Sequence, residues 1–169
     1  MAVVNTKSTA ITNADAAGTG ALTLNAAGVV KAQTYTVYGH CAVASGDDNN
    51  SIYRFVRVPS NARIISIMRF NDAITGATDW NFGLYQTAAN GGADADENLF
   101  ADAVDINAGT VAGVEQRFTT SNITTCNQRV WELLGLSADS KRDYDICGTA
   151  IAVGSADGDV VLRVTYSVD

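Results

Sequence analysis

Proline occurs once in this chain of 169 residues, at Pro59, and it splits the longest β-forming stretch, Ile52 to Phe70, into two runs rich in branched and aromatic side chains. Proline has no N–H to give a sheet ladder, and Ser60 and Asn61 follow it. The first run therefore ends at Pro59 and the second opens at Arg63, giving two strands around a fixed turn. Arg54, Arg57, Arg63 and Arg69 stand among apolar neighbours in these runs. An arginine on a half-buried strand reaches a sheet edge or a carboxylate, so salt-bridged strand ends are expected.

The rest of the chain supplies partners for these strands. Gln33 to Ala44 is strand-like and closes on the polar turn Ser45 to Asn50. Trp80, Phe82 and Leu84 alternate on one face of a core strand, and Gly83 leaves room on the other face for a neighbouring side chain or a bulge. Tyr144 to Val153 and Val160 to Val168 flank Gly154 to Asp159 and read as a hairpin, with Val160, Leu162, Val164, Tyr166 and Val168 alternating against Arg163, Thr165 and Ser167. Two short helices are expected. Leu99, Phe100, Ala103 and Val104 make an apolar stripe over Ala93 to Val104, with Asp94, Asp96 and Glu97 at its positive end. The second runs from a cap at Asn127 to a positive-φ residue at Gly135 and buries Val130, Trp131 and Leu134. Between Gly109 and Thr125 the pattern is weak.

Short strands bounded by Gly, Asn or Asp, without long helix–strand alternation, predict an all-β fold. It is an antiparallel β-sandwich, jelly-roll-like, of about eight strands. This domain is placed at residues 34–169. Residues 1–33 are dominated by Ala, Thr, Asn and Gly. They cannot bury enough apolar area to offset roughly 1 to 2 kcal/mol of backbone entropy per ordered residue, so they read as an extended N-terminal arm with one short strand at Ala21 to Leu24.

Hydrophobic residues make up 47% of the chain and charged residues only 17%, which suits a surface that is partly covered in use. A net charge of −7 with three lysines, Lys7, Lys31 and Lys141, gives no electrostatic footprint for nucleic acid or an anionic membrane, so neither is expected as a partner. The first residues show no basic segment followed by an apolar one, and no later apolar run approaches membrane-spanning length, which points to a protein made and kept in a cytosol unless released by lysis. Cys41, Cys126 and Cys147 are an odd number at wide spacings and match neither a disulfide framework nor a zinc pattern. Each reads as a small buried apolar residue.

No motif names a reaction. Asp94, Asp96, Glu97, Asp102 and Asp105 offer oxygen ligands but lack the loop glycine and terminal glutamate of an EF-hand, so they read as helix N-terminal charge rather than a calcium site. His40 is the sole histidine; on a strand, His40 and Cys41 face opposite sides, which argues against a catalytic pair and leaves a hydrogen-bonded strand histidine. The glycines form neither a Walker loop nor a dinucleotide-binding turn. No catalytic residue, metal ligand or cofactor is therefore assigned, and the chain reads as a non-enzyme.

Taken together, Ile52-Tyr53-Arg54, Arg57 to Ile64, Gly83-Leu84-Tyr85 with Gly91-Gly92, Asn98 to Ala101, and Val130 to Ser137 before Tyr144-Asp145 resemble small virion structural proteins of tailed bacteriophages. The likeness spans about residues 50 to 168 and rests on structural punctuation, so it carries no catalytic residue over. Proteins of this kind are capsid decoration or cement proteins, sandwiches of jelly-roll type that bind the outer head shell as oligomers. The resemblance implies the major capsid protein and further copies of the chain, as a dimer or trimer, as partners, and a place on the outer capsid surface of the virion. The alternative is a phage head or tail accessory module that binds host-surface carbohydrate, for which Trp80 and Trp131 would be the stacking aromatics.

Overall fold

The computed structural model describes residues 33–168; the expected arm, with its strand at Ala21 to Leu24, lies outside the described residues. Eight strands follow in order: β1 (Gln33–Val43), β2 (Ser51–Pro59), β3 (Arg63–Asn71), β4 (Asp79–Gln86), β5 (Asp94–Val104), β6 (Thr110–Glu115), β7 (Asp143–Ala152) and β8 (Gly158–Val168). They form two four-stranded sheets, one ordered β1-β8-β3-β6 and the other β2-β7-β4-β5. All pairings are antiparallel. The first strand pairs with the last, the second with the second-last, and so on inward to β4 with β5. That nesting is one long folded-back ribbon rolled into two layers, which is the jelly-roll topology.

Pro59 and Arg63 bound β2 and β3 as the sequence predicts, but the two strands lie in different sheets. The turn between them is a corner of the sandwich. Its carbonyls receive the first turn of the one α-helix among the described residues, α1 (Val130–Leu133): Val130 N–H donates to Ala62 O at 2.8 Å and Trp131 N–H to Ser60 O at 3.0 Å. Helix N-terminal donors have no partner within the helix, so the corner supplies them. The cap is Arg129 rather than Asn127, with Glu132 Oε2 accepting its backbone N–H at 2.7 Å. Gly135 takes the positive φ, 67°.

Two of the expected elements are overturned. Residues 94–104 are a strand, β5, not a helix. β5 pairs with β4 through three register breaks, and Ala103 sits at φ 51°. Bulges destroy the two-residue alternation, and the apolar spacing that is left imitates a helical stripe. Gly83 is why the chain swells there: a Cβ on it would lie 2.1 Å from Asp96 O. The other correction concerns β7 and β8, which are not a hairpin but central strands of opposite sheets. Residues Tyr144 to Ala150 of β7 are all buried, as a strand covered on both faces requires. The linker from Val153 to Asp157 crosses between the layers.

Val58, Ile64, Ile67, Trp80, Phe82, Leu84, Phe100, Ile146, Leu162 and Val164 fill the interior with little or no exposure. Arg117 is also fully buried, lying against the rings of Phe100 and Phe118 and donating to Ile64 O and Thr125 O. It ties the loop after β6 to β3.

Candidate assembly interface

A sheet with one wet face alternates apolar inward with polar outward. The sheet containing β2, β7, β4 and β5 keeps that rule by covering its outer face with a polar network. Asp145, whose side chain is only 7% exposed, accepts Arg57 Nε at 2.8 Å and Arg54 Nη1 at 3.0 Å. Arg54 also donates to Gln86 O and Gly92 O, both at 2.9 Å. Burial works to raise the Asp145 carboxyl, and the bonds from Arg57 and Arg54 outweigh it, so the group stays below the usual carboxylate range. The network is self-satisfied and holds the β4–β5 loop to β2. It is structural.

The sheet containing β1, β8, β3 and β6 breaks the rule. Val160, Leu162 and Val164 point inward and are fully buried, so Val161, Arg163 and Thr165 point out. Residues directly across from one another share a face, which puts Phe70 beside Val161, Met68 and Tyr38 beside Arg163, and His40 beside Val161 on the outside. The Arg163 guanidinium lies 5.8 Å from the Phe70 ring centroid. On β6, Gly113 at φ 81° lets the chain pass against the Phe70 and Met68 side chains, which a Cβ would strike at 2.8 and 2.9 Å. Beyond it Val111 is 96% exposed. The result is an apolar outer stripe across all four strands, Val111, Phe70, Met68, Val161 and Tyr38. At its Val111 end lies a shallow open depression of about 250 Å³ whose lining includes Phe70, Val161, Val111, Thr110, Asp72 and Asp159. Val111 and Tyr38 are exposed, Phe70, Met68 and Val161 are half-buried between them with Arg163 interposed before Tyr38, and exposed apolar surface marks a contact site.

The residues singled out from sequence are scattered. His40 Nε2 lies 2.8 Å from Asp159 Oδ1 at the rim of the stripe, with both side chains more than half exposed. Cys147 is buried and Cys41 half-buried, but Cys126 is exposed, contrary to the expectation of burial. Trp80 is fully buried and stacks on Tyr53 at 5.0 Å; Trp131 is half-buried. Asp94, Asp96, Glu97 and Asp102 lie along β5, and Asp105 follows it. Among the described residues no group of three or more His, Cys, Asp or Glu is arranged to hold a metal ion, and no helix is long and apolar enough to cross a membrane.

The outer stripe was missed in the sequence although its signal is there. Met68 beside Ile67, and Val161 between Val160 and Leu162, put apolar side chains at both parities of a strand. A strand at the middle of a sheet with one wet face does not need the second set.

Neither protein-family models nor curated proteins yield a match to this chain. Among solved structures, a chain of "Capsid of Ralstonia phage GP4" is similar at a TM-score of 0.59 and 12% identity, over 81% of this chain and 85% of that one. A chain of "Cyanophage Pam1 capsid asymmetric unit" aligns at 0.49 and 16% identity over 89% and 96%. At these identities the GP4 likeness is one of fold.

Proposed function

We propose that this chain is a non-enzymatic structural protein of a bacteriophage virion, a decoration or cement protein that binds the outer head shell and stabilises contacts between major capsid protein subunits. The observation that carries the reading is the apolar outer stripe Val111, Phe70, Met68, Val161 and Tyr38, on a sheet face that would be polar if water were its only neighbour. The fold shared with a chain of a phage capsid structure supports it. The stripe seats on the shell, and many copies on a lattice make each weak contact effective through high local concentration. Residues 1–33 serve as a strap that adds backbone hydrogen bonds to an exposed strand edge of the partner. The carbohydrate-binding alternative relied on Trp80 and Trp131, and Trp80 is enclosed in the core.

The test is co-sedimentation of the full chain with undecorated heads, followed by heat and osmotic challenge. Binding with raised resistance is expected. Val161→Asp, at the middle of the stripe, should lower occupancy while leaving the melting temperature nearly unchanged, and deletion of residues 2 to 30 should do the same. Failure of the full chain to bind or protect heads overturns the cement reading, and unimpaired binding by Val161→Asp overturns the assignment of the stripe.

A further inference from the structure

Each sheet has two edge strands, and a bare edge invites pairing with another chain unless something blocks it. Three of the four edges here are blocked. β2 carries Arg54 and Arg57, a register break after Arg54, and Pro59 at its end. β5 carries Asp94, Asp96, Glu97 and Asp102 and breaks register three times. β6 has only six residues, with Gly113 at φ 81°. Among the described residues β1 has no such device: its eleven residues contain no Lys, Arg, Asp, Glu or Pro, and it pairs with β8 without a break from Gln33 to Val43.

The unprotected edge is also apolar. Gln33 to Tyr38 are exposed on both faces, with Tyr35 at 42%, Val37 at 38% and Tyr38 at 64%. Charge decides which partner fits. The chain carries −7 overall, so two copies repel across most of their surfaces, but across β1 no formal charge opposes its like.

We propose that β1 is a self-pairing edge and that its occupant is a second copy of this chain, joined antiparallel about a two-fold axis at Thr36. That register sets Tyr35 opposite Val37 of the partner subunit on one face and Tyr38 opposite Thr34 of the partner subunit on the other, aromatic against β-branched both times. The two sheets become one sheet of eight strands, an isologous contact that closes on itself. Gln33 then stands opposite Gly39 of the partner subunit, and His40 to Val43 of each copy lie outside the pairing. The pairing concerns the free protein and stands whether or not the chain binds shells.

Sedimentation equilibrium of the free full chain tests it. A dimer with a micromolar dissociation constant is expected, in keeping with a contact at the small end of the interface size range. Thr36→Lys places two lysines directly across the axis and should raise that constant at least about tenfold, whereas Thr36→Val should not. Circular dichroism checks that both variants stay folded. Facing Cα atoms of an antiparallel pair lie at disulfide distance. In a Cys126→Ser background, Thr36→Cys should therefore cross-link into dimers on oxidation and Thr34→Cys should not. A monomer at every concentration, a trimer, or a dimer indifferent to Thr36→Lys overturns the proposal. So does protection from hydrogen exchange, in a monomer, of those amides between Thr34 and Tyr38 that point away from β8, which would assign the edge to the chain's own preceding residues.

Discussion

Replacing Asp145 with Asn keeps the shape of the side chain and removes its charge, turning one acceptor toward the arginines into a donor. Arg54 is the more enclosed partner, at 35% exposure, and its bond to Asp145 Oδ2 is 3.0 Å. A charge-assisted hydrogen bond of this kind is worth about 1.5 to 3 kcal/mol. Arg57 is 56% exposed, and solvent screening leaves its share small beside that of Arg54. Asp145→Asn should therefore cost roughly 2 to 3 kcal/mol at pH 7, a fall in melting temperature of about 10 °C for a domain of this size. Arg57→Ala alone should cost clearly less than Asp145→Asn. The carboxyl is held below its ordinary range in the folded protein. Its stabilisation is thus fully present above the unfolded pKa of about 3.9 and is lost as pH falls through the folded value. Urea unfolding of both proteins at pH 7, 5, 4 and 3, followed by tryptophan fluorescence, reads the difference. A cost under about 0.5 kcal/mol at pH 7, or one that does not shrink in acid, would refute the reasoning.

Gly83→Ala forces a methyl group against the backbone of Asp96 and Glu97 at 2.1 to 2.5 Å; because backbone cannot swing aside, a loss of about 3 kcal/mol is expected in thermal melting. A thiol reagent should count one fast cysteine in the folded protein, the exposed Cys126, and reach Cys147 only after denaturation, since burial both encloses that thiol and pushes it up to about 12. Tryptophan emission should contain a blue component that iodide does not quench. It should vanish in Trp80→Phe, leaving the half-buried Trp131 as the quenchable part.

What the sequence made legible was local. Pro59 can only end a strand, and Val160, Leu162 and Val164 can only line an interior, so both were read correctly. The errors arise where distant residues decide. β7 and β8 are separated by a Gly-Asp-rich linker that looks like a hairpin loop, and only the competing partners β2 and β4 on one side, β1 and β3 on the other, pull them into separate sheets. The stretch Asp94 to Val104 lost its alternation to bulges around Gly83, a feature that no window within β5 itself contains. The strand arginines and their carboxylate on the β2-β7-β4-β5 sheet were anticipated in kind. The outer apolar stripe was not, because it becomes visible only when Phe70 and Val161 are known to stand side by side.

The nesting of first strand with last also sets a schedule for synthesis. β8 follows the other seven strands, yet it stands between β1 and β3 in the middle of its sheet, as β7 stands between β2 and β4. Until residues beyond Asp143 have been made, β1 and β3 have no common neighbour and the open sides of β2 and β4 have no cover. At about 5 to 20 residues per second, β1 waits on the order of ten seconds on the ribosome for its partner. A chain halted before β7 is a set of half-apolar strands with unpaired edges, not a smaller sandwich, so premature termination or slow translation late in the message should give aggregates where the completed chain gives soluble protein.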